Sequence, residues 1–557
     1  MNEIAMRHRD TLDKAIAATE SRAFWSAFPE DPREYPEEAA AEGRAAFDAR
    51  CGRRFELDQP GSAGWAGEER SPYGFDLGVE YPVPDPDVLL PAMAAAMPSW
   101  RDAGPEVRAA VCVEIVRRLN SRTHEMAHAV MHTTGQAFTM AFQAGGTHAQ
   151  DRALEAIAYA LAAMRRVPAQ ATWEKPQGKR PPLRMIKEFR VVPRGIGLVI
   201  GCATFPTWNG YPGLFASLAT GNAVLVKPSR RAVLPLALTV AVARETLVDA
   251  GFDPNLVALA VDAPAERSAA SLAVRPEIRL IDFTGSTEFG DWLERHATQA
   301  TVFAEKSGVN SVVIDSTDDF DGMLRNLAFS LSLYSGQMCT TPQNLLVPRD
   351  GIETESGHRS FDEVADGLAR AIDGLLGDPR RAAALLGGIV SDDVLKRVDA
   401  VAGSARVVLA SHPVDVADFP DAVTRTPLLV QVGPADDEYA RECFGPVSFL
   451  VPTSGVEESL DIWSRTMRER GALTASVYST DPRVLARAEA IAMEGGVSLS
   501  ENLTGGVYVN QSAAFSDYHA TGLNPAATAS YTDDAFVTPR FHVVQWRRHL
   551  PAEAPTT

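Results

Sequence analysis

From Gly195 onward the chain alternates short apolar runs with helical stretches, and no other feature restricts its fold as strongly. IGLVIG, NAVLVK, LVALAV and IRLIDF each have the length of one buried strand, while LFASLATG, LALTVAVARETLVDAG and a stretch near Ser286 to Gln299 carry helical spacing. Parallel strands need long crossover connections, and helices supply them, so the alternation predicts a parallel sheet covered by helices. Gly195 and Gly197 precede the first strand and lack a correctly placed third glycine, so they read as a turn, not as a dinucleotide fingerprint.

The flanking regions read differently. Val111, Ile115 and Leu119 recur at four-residue intervals within a helical layer from Asp87 to Met164. Residues 1 to about 90 open with an expected helix over Arg9 to Phe28, then turn rich in Pro, Gly and acid, as suits an arm lying over a neighbouring surface. Ala169 to Arg194 is Pro-rich and basic, with alternation that allows edge strands. Past ATVFAE and SVVID, a helix from Phe320 to Tyr334, helices around Phe361 to Leu376 and Val394 to Val401, and strands at ARVVLA, PLLVQV and VSFLV predict a second α/β unit. FHVVQW closes the chain as a last strand.

Charge and cysteine usage narrow the function. With 53 basic against 72 acidic residues the net charge is −19, which argues against a nucleic-acid or anionic-membrane partner. The five cysteines are scattered and odd in number, so neither a disulfide framework nor a Cys-x-x-Cys metal site is expected, and a reducing cytoplasm fits best. The N-terminus lacks the apolar core of a signal peptide, and no apolar run reaches the roughly 20 residues of a membrane span.

Two stretches carry candidate chemistry. In LSLYSGQMCTTPQN, Cys339 follows a Gly-Gln-Met bend at the end of an amphipathic segment, a setting that aims a thiol at a cleft, although a free cysteine also fills cores well. His124-Glu-Met-Ala-His128 matches the His-Glu-x-x-His pattern of zinc hydrolases, with Glu155 as a possible third ligand. His132 extends that stripe, and the positions alternate with Met126, Ala127 and Val130, as on a packed helix face.

Five motifs in order then resemble the aldehyde dehydrogenase superfamily: LATGNAVLVKP ending at Pro228, FTGSTEFG over Phe283 to Gly290, Ala304-Glu305 with Gly308, Gln337-Met-Cys339, and Glu442-Cys-Phe-Gly-Pro446. The likeness spans roughly residues 90 to 545. The long N-terminal extension and the tail NQSAAFSDYHATGLNP look like the PaaN-type branch linked to phenylacetate degradation.

The resemblance implies an α/β fold with a Rossmann-type coenzyme domain, an α/β catalytic domain and a β oligomerisation arm. The expected segments are 1–168 (extension and helical part), 169–192 (arm), 193–306 (coenzyme-binding sheet), 307–515 (catalytic) and 516–557 (tail and oligomerisation strand). Cys339 would be the nucleophile and Glu305 the base that hydrolyses the thioester, a residue that acylating, coenzyme A-dependent relatives usually lack. Lys227, Ser229, Arg230, Gly285, Ser286, Gly290, Glu442 and Phe444 would hold the dinucleotide. Arg230 and Arg231 stand where NAD-preferring members place a Glu, which favours NADP, with NAD possible. Thr204 stands where many members have an oxyanion Asn, so Thr204, Asn209 or the Cys339 N–H must donate instead. The implied substrate is an aldehyde, possibly the ring-opened coenzyme A semialdehyde of phenylacetate breakdown or a simpler aromatic or aliphatic one, and the implied assembly is a homodimer or dimer of dimers. A zinc metallohydrolase and a catalytically silent binding protein are the readings from other classes.

Overall fold

The computed structural model describes residues 3–263 and 266–550, so the outermost residues of the first and last expected segments lie outside it. Helices α1 (Thr123–Thr134) and α2 (His148–Arg165) belong to the helical layer. The first sheet follows with β1 (Ile196–Ile200), β2 (Ala223–Lys227), β3 (Val257–Leu259), β4 (Ile278–Thr284) and β5 (Thr301–Glu305). Its crossovers include α3 (Pro206–Ala219), α4 (Leu234–Asp249) and α5 (Thr287–His296). All four pairings are parallel, in the order β3-β2-β1-β4-β5. The chain therefore winds outward from β1 in one direction and then in the other. Loops leaving β1 and β4 diverge at that switch point and open a crevice at the carboxyl ends of the strands.

A second sheet contains β6 (Ser311–Ile314), β7 (Asn344–Pro348), β8 (Arg406–Leu409), β9 (Leu428–Gln431), β10 (Val447–Thr453), β11 (Thr474–Tyr478) and β12 (Ser498–Glu501). The order is β8-β9-β10-β7-β6-β11-β12, parallel except at the β8 edge. Helix α6 (Phe320–Ser332) covers this sheet and leads into Cys339. The basic segment and the final strand form a separate three-stranded antiparallel sheet, Phe541–Leu550 beside Arg180–Pro193 beside Gln170–Gln177. Leu183, Val543, Val544 and Trp546 stay exposed on it. Among the described residues no helix is long and apolar enough to cross a membrane.

The N-terminal helix is shorter than its apolar pattern suggests, running Arg9–Ser21 and ending at Arg22 with φ 54°. Tertiary contacts end it: Arg22 turns onto the Tyr518 ring at 3.8 Å, and Trp25 meets Phe515 edge-on at 4.8 Å. Further along, Gln59 gives its side-chain amide to the Leu259 carbonyl and takes the Leu259 N–H (2.9 and 3.0 Å), closing the free edge of the first sheet at β3. Buried Glu69 accepts the Val233 and Leu234 N–H groups (2.6 and 3.0 Å), capping α4, and burial pushes its carboxyl up to about 7. The extension thus completes the first sheet and one of its helices.

Candidate active site

Cys339 owes its position to a broken helix. Past Ser332 the residues Tyr334, Ser335 and Gly336 all take left-handed backbone (φ 52°, 49° and 63°), where the sequence pattern extends the helix to Tyr334. Left-handed backbone costs about 1–2 kcal/mol per non-glycine residue, and side-chain bonds offset it here. The Ser335 hydroxyl donates to the Leu386 and Arg425 carbonyls (3.1 and 2.8 Å), and the Tyr334 hydroxyl donates to the Thr134 carbonyl. A Cβ at Gly336 would lie 2.5 Å from the Gly445 carbonyl oxygen, so only glycine fits. Asn310 then clamps the loop, donating to the Cys339 and Thr341 carbonyls (2.7 and 3.0 Å) while accepting the Leu473 and Thr474 N–H groups. The Cys339 N–H donates to no protein acceptor among the described residues.

Glu305 ends β5 and is buried against half-buried Cys339. Burial, then the Glu305 carboxylate, push the Cys339 thiol well above its ordinary range, so the resting sulfur is protonated and a proton acceptor stands beside it. The Glu305 oxygens are not equivalent. Oε2 takes the Asn209 amide N–H at 3.4 Å and hydrogen-bonds His519 Nε2 at 2.9 Å, whereas Oε1 is buried with no partner. Ligand atoms of Glu305, Cys339 and His519 all lie within 4.8 Å of one another, the one such group among the described residues with donors spaced to hold a metal ion.

The remaining expected residues fall into two sets. Lys227, at the end of β2, is buried and bonds Asp262 at 2.6 Å. Burial pushes Asp262 up, but Lys227 and Ser268 outweigh it and hold that carboxyl below its usual range. Ser229 accepts the Arg231 N–H at 3.4 Å, and Arg230 reaches Glu68 of the extension at 3.4 Å. Across the crevice Ser286 caps α5 through the Phe289 N–H at 3.4 Å. A Cβ on Gly285 would run into the Phe283 ring at 2.6 Å, and one on Gly290 into the Lys306 stem at 2.5 Å, so the strand-to-helix backbone stays bare. A bare turn, a capped helix N-terminus and a buried lysine at a switch point fit a dinucleotide pyrophosphate and ribose. On the other side of Cys339, Glu442 and Phe444 line a narrow cleft that ends at the thiol. Burial raises Glu442, opposed by Ser307 and Arg397.

Thr204 contacts other partners. Its carbonyl accepts the Gln136 amide at 2.8 Å, and its backbone and hydroxyl oppose the rise that burial gives the Cys202 thiol. Asn209 gives one amide N–H to Glu305 at 3.4 Å and accepts the Cys202 thiol on Oδ1 at 3.6 Å, which leaves its second N–H. Among the described residues the Cys339 N–H is an unengaged donor at the sulfur.

The His124-Glu-x-x-His128 stripe lies on a packed helix face, as its alternation with apolar residues suggests. Gly43 of the helix Ala39–Asp48 approaches so closely that a Cβ there would be 2.4 Å from His124 Cβ. His128 packs on Phe138 at 4.8 Å, His132 on Phe47 at 4.9 Å, and Glu125 pairs with Arg50 at 3.2 Å. Glu155 is not a third ligand: it accepts from Arg152 (2.7 Å) and from the Phe515 N–H (3.0 Å). His519 had no signal of its own in sequence, being one histidine in an Asn-, Ser- and Ala-rich tail.

A model of the aldehyde dehydrogenase family matches residues 84–533. A vanillin dehydrogenase from a Pseudomonas species is 26% identical over 412 residues, 71% of this chain and 77% of that protein. A benzaldehyde dehydrogenase (NAD+) of Pseudomonas putida is 27% identical over 323 residues, 57% of this chain and 60% of that one. The crystal structure of an NAD-dependent aldehyde dehydrogenase from Burkholderia multivorans matches with a TM-score of 0.97 at 56% identity, covering 99% of this chain and 100% of the other. A 1-pyrroline-5-carboxylate dehydrogenase from Thermus with bound NAD shares the fold, with a TM-score of 0.72 at 20% identity over 95% of this chain and 99% of its own.

Proposed function

Because the chain belongs to the aldehyde dehydrogenase family, we propose that it oxidises an aldehyde to the free carboxylic acid through a thioester on Cys339. The observation that carries this reading is the buried Glu305 carboxylate, with Oε1 unpartnered, brought within 4.8 Å of a protonated thiol. Cys339 Sγ adds to the carbonyl carbon as its proton passes to Oε1, and the Cys339 N–H meets the resulting oxyanion. A bound nicotinamide supplies the acceptor for the hydride that leaves this adduct. With the thioester formed, Glu305 releases that proton to solvent and then takes one from water; hydroxide adds to the acyl carbon, the C–S bond breaks, the sulfur leaves as thiolate, and the proton on Glu305 returns to it.

The dinucleotide would be held by Lys227, Ser229, Gly285, Ser286 and Gly290 on its adenosine and pyrophosphate side, and by Glu442 and Phe444 on its nicotinamide side. NADP is the expected preference, carried by Arg231, which is exposed and forms no ion pair among the described residues. Glu68 partly offsets Arg230, which leaves NAD usable. The three-stranded arm, with its exposed apolar side chains, suits a homodimer or dimer of dimers of a cytoplasmic enzyme.

For the substrate, the extension and tail that resemble PaaN-type proteins support the ring-opened coenzyme A semialdehyde of phenylacetate breakdown. A simpler aromatic aldehyde is the second reading, favoured by the vanillin and benzaldehyde dehydrogenases among the relatives. Cofactor reduction measured with the semialdehyde, benzaldehyde and vanillin, each with both nicotinamides, tests both. The proposal expects kcat/KM highest for the semialdehyde with NADP; turnover of the aromatic aldehydes alone overturns the substrate, and thioester hydrolysis unchanged in Glu305→Gln overturns the mechanism.

A further inference from the structure

The tail segment 502–533 brings a side chain into the site that none of the five motifs contains. His519 is 4% exposed, and its Nε2 sits 2.9 Å from Glu305 Oε2. The backbone holding it is paired in both directions with Tyr531: His519 N–H donates to the Tyr531 carbonyl (3.2 Å) and Tyr531 N–H to the His519 carbonyl (2.8 Å). The next residue, Ala520, has φ 60°, and Phe515 upstream has φ 67°, conformations that an alanine and a phenylalanine keep only where the surroundings enforce them. Trp208 closes edge-on over the imidazole at 4.7 Å, with the Tyr531 ring at 5.6 Å on another side. The Tyr531 hydroxyl is fixed by Thr284 at 2.9 Å. Fully buried Arg152 packs over Trp208 at 5.1 Å and donates to the Asp517 carbonyl (3.2 Å) and the Ser512 hydroxyl (3.1 Å), tying the tail to α2.

We propose that His519 is a positioning residue for Glu305: its imidazole N–H holds Oε2, so that Oε1 is the oxygen kept free beside Cys339. This inference rests on the reading of Glu305 as the deacylating base. A glutamate side chain has three rotatable bonds and a terminal carboxylate torsion with broad wells, so burial alone does not choose which oxygen faces the sulfur. An N–H donor to a carboxylate is a charge-assisted bond, about twice as strong as a neutral one. Asn209, at 3.4 Å, is at the long limit of a hydrogen bond and does not fix the carboxylate by itself. An ionised carboxylate only accepts, which assigns the proton on His519 to Nε2. The geometry separates the two oxygens accordingly: two donors on Oε2 and none on Oε1.

A histidine packed between Trp208 and Tyr531 would also serve as filler, and two substitutions separate the roles. His519→Phe keeps a ring and removes the donor; His519→Gln removes the ring and keeps an amide N–H at the reach of Nε2. If His519 positions Glu305, His519→Phe lowers kcat by about 10- to 100-fold, the scale of a misplaced catalytic group, with little change in aldehyde KM. Acyl-enzyme then accumulates as the aldehyde's acyl mass on intact protein after an acid quench, and His519→Gln recovers most of the rate without that species. The inference is overturned if His519→Phe turns over like the wild type, or if His519→Gln is impaired as much as or more than His519→Phe. Melting temperature and dinucleotide binding are measured on both variants, and a variant that does not fold leaves the other to decide by the same criteria. Glu305→Gln is run in parallel: its normal deacylation would reject the base itself, whereas a stalled Glu305→Gln beside a normal His519→Phe rejects only the positioning role.

Discussion

Two buried places in this molecule combine histidine with glutamate, and they behave oppositely. On α1, His124, Glu125, His128 and His132 are neighbours in sequence on a packed helix. Their surroundings are mostly aromatic rings, with Ser71 on His132 and Arg44, Asp48 and Arg50 nearby, and burial holds His128 down to about 4 and His132 to about 3, so both rings are neutral there at physiological pH. At the end of β5, Glu305, Cys339 and His519 come from three distant segments, yet their donor atoms converge within 4.8 Å. Adjacency along a helix made a packed face in the first case. In the second, convergence brought a carboxylate with one unpartnered oxygen to a thiol, and an unpartnered acceptor is what the proposed chemistry uses.

The sharpest way to break this comparison is to remove the sulfur. Cys339→Ala is expected to lose aldehyde oxidation by at least about a thousandfold while still binding dinucleotide, since it removes the sulfur grouped with Glu305 and His519; residual turnover above that level would move the chemistry elsewhere, with the neighbouring Cys202 thiol the first place to look. Glu305→Gln should slow steady-state turnover by about 10²- to 10³-fold, the usual weight of a general base, and leave a thioester visible by mass after one turnover. A smaller effect belongs to the crevice: Arg231→Ala should lower kcat/KM for NADP by about tenfold, the loss of one charged contact, and leave NAD nearly unchanged. Equal losses with both nicotinamides would remove Arg231 from the 2′-phosphate.

The smallest effect is expected on α1. His128→Leu should leave activity unaltered, with or without a zinc chelator, and stability within about 1 kcal/mol, because it deletes a buried, unpartnered Nδ1. Its pH signature has a definite sign. The folded-state value lies below the ordinary 6.5, so the unfolded chain binds the proton first, and stability falls as pH drops from about 6.5 toward 4. Melting temperature measured across that window should fall less steeply in His128→Leu than in the wild type. An identical slope would mean that His128 is not buried neutral.

Much of this was legible in the chain before any coordinates. The apolar runs after Gly195 have strand length and the stretches between them helical spacing, so the parallel sheet followed from periodicity, and FTGSTEFG placed a bare turn and a capped helix where α5 begins. Local sequence misled where distant contacts override propensity. The helix Arg9–Ser21 stops early because Arg22 and Trp25 turn onto the tail, and α6 stops at Ser332 because Ser335 and Tyr334 find carbonyl partners far along the chain. Asn310, which clamps the Cys339 loop, and Gln59, which closes the sheet edge, carried no sequence signal, since nothing in an isolated Asn or Gln says which carbonyl it will meet.

By itself the sequence determined the order of strands and helices and the family, and singled out Cys339 and Glu305 as candidates, because those depend on side-chain periodicity and on motifs contiguous in the chain. Only the tertiary structure decided that the Thr204 carbonyl meets Gln136, that the histidine stripe on α1 is packing, and that His519 reaches Glu305. The physical reason is the same for all three. A hydrogen bond is set by a few tenths of an ångström and by direction, and across 214 residues of chain between Glu305 and His519 only the packed fold fixes either.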